Sequence, residues 1–122
     1  MKLFVIGLGG FFGAIMRYSV SKAATLYLGN IIPFGTLIVN CLGSFLLGYL
    51  YVFSIERSVI SENMRFFIGV GFMGAFTTFS TFSVETVNLY EDGAYLLSVI
   101  NIILNVGISI VGAFVGMFLA KL

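Results

Sequence analysis

Thr36, Asn40 and Ser44 recur at every fourth position, and Gly48 continues the series. They therefore share one face of a helix. Asn101, Asn105 and Ser109 repeat the pattern, extended by Gly112 and Gly116, and Gly10, Gly13, Arg17 and Ser21 form a third stripe. All three stripes run inside long apolar segments. A polar side chain that finds no partner in lipid is costly, so these faces turn toward protein or water. Two kinds of chemistry suit them. One is packing, through small-xxx-small contacts and interhelical hydrogen bonds. The other is conduction, because neutral amide and hydroxyl donors can solvate an anion and no carboxylate in the stripes would repel it.

The stretch from Gly69 to Ser83 is different. Three glycines (Gly69, Gly71, Gly74) precede the hydroxyl residues Thr77, Thr78, Ser80, Thr81 and Ser83. Hydroxyls compete for backbone groups and glycine weakens a helix, which predicts a break near Gly74–Thr78. Irregular backbone deep in a membrane is tolerated when it is buried in protein or coordinates something. Carbonyls exposed at a break are natural ligands for a small hard cation such as Na⁺. The competing expectation is an intact helix whose hydroxyls bond back to their own turn. Phe79 and Phe82 follow, three residues apart. The positive edge of a phenyl ring can touch an anion without holding it tightly, although two phenylalanines in a membrane helix also serve plain packing.

Two charges flank these segments. Arg17 either snorkels to the headgroups or raises the anion concentration at a pore mouth. Glu85 lies near the end of the third apolar segment, where a carboxylate is a functional candidate.

The elements that must position these residues follow from composition. The chain has 122 residues, 60% hydrophobic and 9% charged. Soluble domains run near 45–50% apolar and about 25% charged, so an ordinary water-soluble domain is excluded. Disorder and nucleic-acid binding fail as well, since six basic residues are balanced by five acidic ones. There is no His and only one Cys, Cys41. That rules out an intrachain disulfide, a His/Cys metal site and any His-dependent triad. No nucleophile–base pair is visible, so the chain reads as a non-enzyme.

Four membrane helices are expected at about 3–24, 31–53, 66–88 and 94–120, forming a single all-α integral membrane domain over 1–122. Lys2, the following apolar run and Ser21-Lys22-Ala23 resemble a weak signal peptide. Arg17 interrupts that pattern and glycines stud the run, so it reads as a retained first helix. With both termini on one side, that side carries Lys2, Arg57, Arg65 and Lys121, and the other carries Arg17 and Lys22. So small a bias does not fix one orientation.

Three blocks of the chain resemble the bacterial fluoride channels of the Fluc (CrcB) type. They are Gly9-Gly10-Phe11-Phe12-Gly13-Ala14-Ile15-Met16-Arg17-Tyr18, the run from Gly35 to Phe45, and the run from Gly71 to Ser83. Thr77-Thr78-Phe79-Ser80-Thr81-Phe82-Ser83 is the most specific piece. Ala75-Phe76 departs from the Gly-Leu expected there, and the fourth segment matches only through Asn105, Ser109 and its glycines. The resemblance implies an antiparallel, dual-topology homodimer in the inner cell membrane, with two fluoride pores. It implies that the third helix breaks, and that the Gly74 and Thr77 carbonyls of both subunits hold a central structural sodium ion. It assigns Asn40, Phe79 and Phe82 to the pore, adds Ser80, Thr81, Ser83, Asn105 and Ser109 to the polar route, sets Arg17 at the vestibule and Glu85 near the pore end. The function implied is passive export of fluoride, which relieves fluoride toxicity, with membrane lipid and a second copy as partners and no nucleic acid. A small proton-coupled exporter of organic cations is the alternative. Such exporters need an acidic residue in the first helix, and none is present here.

Overall fold

The computed structural model describes all 122 residues, and they form helices without a single strand. Four helical spans are long and apolar enough to cross a membrane: Lys2–Leu28, Phe34–Glu56, Glu62–Glu91 and Tyr95–Lys121.

The ends have local causes. The first span closes at Gly29, whose φ of 79° is left-handed and whose N–H returns to the Thr25 carbonyl. Pro33, with φ fixed near −73°, precedes the second span, where a missing N–H does no harm. Ser61 caps the third, its Oγ accepting the Met64 N–H at 3.3 Å, with Glu62 in the first turn. Gly93, at φ 80°, turns the chain into the fourth span.

Two stretches wind wider than an α-helix, Val52–Glu56 at the end of the second span and Phe66–Met73 within the third. Helix Gly74–Phe76 stops at Thr77, whose backbone is extended (φ −84°, ψ 159°), and regular helix resumes at Ser80.

The second span packs on the fourth and the first on the third. Glycine makes both contacts close. A Cβ on Gly116 would lie 2.1 Å from the Phe45 carbonyl oxygen, and one on Gly48 would lie 2.4 Å from that of Ala113. On the other seam, Gly9 and Gly13 meet the backbone of Phe67 and Phe72 at similar range. The buried side chains include Thr36, Asn40, Thr78, Ser98, Asn101 and Asn105, while Phe4, Leu26, Ile103, Ile110 and Phe114 stand outside. This inside-out distribution suits a lipid-facing exterior and an interior held by packing and hydrogen bonds.

Candidate functional site

The interruption of the third span meets the polar stripes of the second and fourth at Asn40. Its Oδ1 accepts the Thr78 N–H at 2.8 Å, and its Nδ2 donates to the Thr78 carbonyl at 2.9 Å. The same Nδ2 also donates to Asn105 Oδ1 at 3.0 Å. Asn105 in turn directs its Nδ2 at the carbonyl and the Oδ1 of Asn101, at 3.0 and 3.1 Å. Asn101 Nδ2 donates to the Thr86 hydroxyl at 2.9 Å, and that hydroxyl donates to the Phe82 carbonyl at 2.8 Å. One unbroken polar chain thus crosses from the second span through the fourth to the third.

Beside it lies a cavity of about 270 Å³ lined by Asn40, Ser44, Thr77, Thr78, Phe79, Phe82, Asn105, Val106, Ser109 and Ile110. No charged side chain lines it. The Phe79 and Phe82 rings meet edge-on, with centroids 5.4 Å apart and planes at 67°. Phe82 is 7% exposed and Phe79 76%, so one ring is fixed inside the chain and the other stands on its outside. The donors differ in availability. The amides of Asn40 and Asn105 are aimed at protein acceptors, and an amide has only two hydrogens to give. The Ser109 hydroxyl faces only the Cys41 sulfur, at 3.9 Å, which is a weak acceptor.

Five of the sequence-derived candidates therefore come together at this cavity: Asn40, Phe79, Phe82, Asn105 and Ser109. Thr77 joins them. Ser80 and Thr81 lie just outside, connected through Thr78, whose hydroxyl donates to Thr81 Oγ1 at 3.1 Å and is 3.5 Å from Ser80 Oγ. The Ser83 hydroxyl bonds back to the Phe79 carbonyl at 2.9 Å. Arg17 stands apart, half-buried on the first span, with no carboxylate in ion-pair range. Glu85 accepts the Thr36 hydroxyl and lines a different recess, of about 180 Å³, with Asn30, Pro33, Asn88 and Asp92.

Gly74 and Thr77 show what the interruption does to carbonyls. In a continuous helix the Gly74 carbonyl would take the Thr78 N–H. Asn40 holds that N–H instead, and no other donor bonds the Gly74 or Thr77 carbonyl. Gly74 is exposed, and a Cβ built on it would meet nothing within 4 Å. Unbonded carbonyl oxygens of this kind are the ligands a small hard cation takes.

Ser44, Thr78, Val106 and Ile110 also line the cavity, and the sequence assigned none of them to the pore. Ser44 was visible by its fourfold spacing from Asn40. Thr78 is held by a residue 38 positions away in sequence, and no local spacing reports such a contact.

The family described as "CrcB-like protein, Camphor Resistance (CrcB)" matches residues 4–117. A protein of Clostridium perfringens named fluoride-specific ion channel FluC is 45% identical over 118 residues, 97% of this chain and 92% of its own length. Proteins of the same name from Vibrio vulnificus and Magnetococcus marinus are 47% identical over 116 residues and 40% identical over 122. These cover 95% and 100% of this chain, and 92% and 99% of the relatives.

Proposed function

The chain belongs to the CrcB-like family, and from that premise we propose that it is a fluoride-selective channel that lets fluoride leave the cell passively and so limits its toxicity. Its single most telling feature is the cavity that joins two edge-on phenyl rings to neutral donors with no charge on its wall. Stripping a small ion of water costs on the order of 20 kcal/mol in the idealised limit. Replacement contacts must recover most of that and still release the ion. The Ser109 and Ser44 hydroxyls are the donors proposed to touch fluoride, and the ring edges of Phe79 and Phe82 cover the apolar stretch. Asn40 and Asn105 hold the frame. Ser80 and Thr81 extend the polar route on the far side of Thr78, while the Ser83 hydroxyl stays with the Phe79 carbonyl.

The working unit in this reading is an antiparallel pair in the inner membrane, with a pore on each side. The exposure of the Phe79 ring favours it, because that ring can then complete the pore of the neighbour. The third span, broken at mid-membrane, turns the Gly74 and Thr77 carbonyls of both copies toward one structural sodium ion. A positive charge there lowers the cost of bringing in an anion. Arg17 belongs to the aqueous vestibule in this scheme and Glu85 to the pore end.

The test is fluoride efflux from liposomes holding the purified protein, followed with a fluoride electrode. Efflux well above protein-free liposomes, with chloride retained, is expected. Equal rates for the two ions, or no efflux, would reject the proposal. The small cation exporter is disfavoured by a first span that holds Lys2, Arg17 and Lys22 but no Asp or Glu.

A further inference from the structure

Asn40 grips Thr78 by both of its backbone groups, as a neighbouring strand would, through one amide side chain. We infer that Asn40 is the positioning residue of the cation site: by capturing the Thr78 N–H, it keeps the third span from closing and so keeps the Gly74 carbonyl free for a sodium ion. The inference rests on the sodium reading above and adds the residue on which that site depends.

The argument is one of bond counting. Buried backbone N–H groups are nearly always paired. Thr78 is buried, and its N–H has two possible acceptors, Asn40 Oδ1 or the Gly74 carbonyl one helical turn back. Thr77 N–H already makes the equivalent helical bond, to the Met73 carbonyl at 3.1 Å. One further bond of the same kind would continue the helix through Thr78 and consume the Gly74 carbonyl. Asn40 prevents this, and its Nδ2 satisfies the Thr78 carbonyl that the interruption also leaves over. The acceptor half of the side chain thus governs the cation site, and the donor half governs the link to Asn105 and the cavity. The two halves can be separated by substitution.

Leucine has a similar shape to asparagine and no acceptor. Aspartate keeps the acceptor and loses both donors. Thermal unfolding of the purified protein, titrated with sodium chloride against N-methylglucamine chloride at constant ionic strength, reads cation binding without reference to flux. For Asn40→Leu, or Asn40→Ala where the leucine variant does not fold, the sodium concentration for half-maximal stabilisation is expected to rise about tenfold or more, equivalent to roughly 1.4 kcal/mol. For Asn40→Asp it should stay within about threefold of the unmodified chain, equivalent to under roughly 0.7 kcal/mol. Phe82→Ile, which alters the cavity alone, should leave it unmoved. An unchanged sodium midpoint in Asn40→Leu or Asn40→Ala overturns the inference, as does an equal loss in Asn40→Asp. A protein whose unmodified form gains nothing from sodium overturns the sodium site itself and this inference with it. That outcome shows in the unmodified chain, before any variant is compared.

Discussion

Asn101 of the fourth span, with no exposed surface, donates its side-chain amide to the Thr86 hydroxyl of the third at 2.9 Å. Thr86 passes its own hydrogen to the Phe82 carbonyl and accepts the Ser98 hydroxyl on its backbone carbonyl. The turn that carries the inner ring is therefore fastened to the fourth span by side chains. Asn101→Leu removes that bond and strips an acceptor from Asn105. Interhelical hydrogen bonds in membranes contribute about 1 kcal/mol each, and a loss of about 1–2 kcal/mol is expected in denaturant titrations of the protein in bicelles. Unaltered stability would mean that the Asn101 amide adds nothing to the join between the third and fourth spans.

Packing has its own test on the seam between the second and fourth spans. A side chain at Gly116 would meet the backbone oxygen of Phe45 at 2.1 Å, and backbone cannot swing aside as a flexible side chain can. Gly116→Val should therefore force the two helices apart and abolish recovery of folded protein. Gly107 lies on the same helix with nothing within 4 Å of a Cβ. Gly107→Ala should be neutral within about 0.5 kcal/mol, or slightly stabilising through helix propensity. Chromatographic monodispersity and thermal unfolding of the two variants check the contrast.

The spans were legible because lipid demands long apolar runs and punishes unpaired polar groups, so Asn40, Ser44, Asn105 and Ser109 declared one inward face each by spacing alone. What spacing could not carry was the partner of each polar atom. The grip of Asn40 on Thr78 joins residues 38 apart, and the Thr36 bond to Glu85 joins residues 49 apart. Nor could spacing distinguish a spent donor from a free one. Asn40 and Ser109 both read as donors on a polar stripe, yet the first is committed to protein and the second faces only the Cys41 sulfur. The separation of Glu85 from the main cavity has the same origin: its recess is closed by Asn30 and Pro33 from the first connection, far away in sequence.

Phe82 offers a direct test of the ring-edge contact. Isoleucine keeps much of the apolar bulk and removes the positive ring edge. In liposomes, Phe82→Ile should slow fluoride efflux on the order of 100-fold, about 2.7 kcal/mol of added barrier, while chloride stays excluded. A rate equal to that of the unmodified chain would take this ring out of the conduction path.

The hydroxyls give the sharpest comparison, because three serines of the same chemistry differ in what holds them and in whether they line the cavity. Ser109 lines the cavity with its hydroxyl opposite a poor acceptor, and Ser44 lines it too. Ser83 gives its hydrogen to the Phe79 carbonyl at 2.9 Å. A hydrogen bond to a charged partner contributes about 1.5–3 kcal/mol. If that contact forms at the top of the barrier, deleting it slows passage by roughly 10- to 100-fold. Ser109→Ala and Ser44→Ala should each show such a loss in fluoride efflux, whereas Ser83→Ala should change the rate by less than about threefold, under roughly 0.7 kcal/mol. Equal losses in all three variants would mean that the Ser83 hydroxyl leaves its helix to meet the ion. Loss in Ser83→Ala alone would move the conduction path out of the cavity and onto the outer side of Thr78.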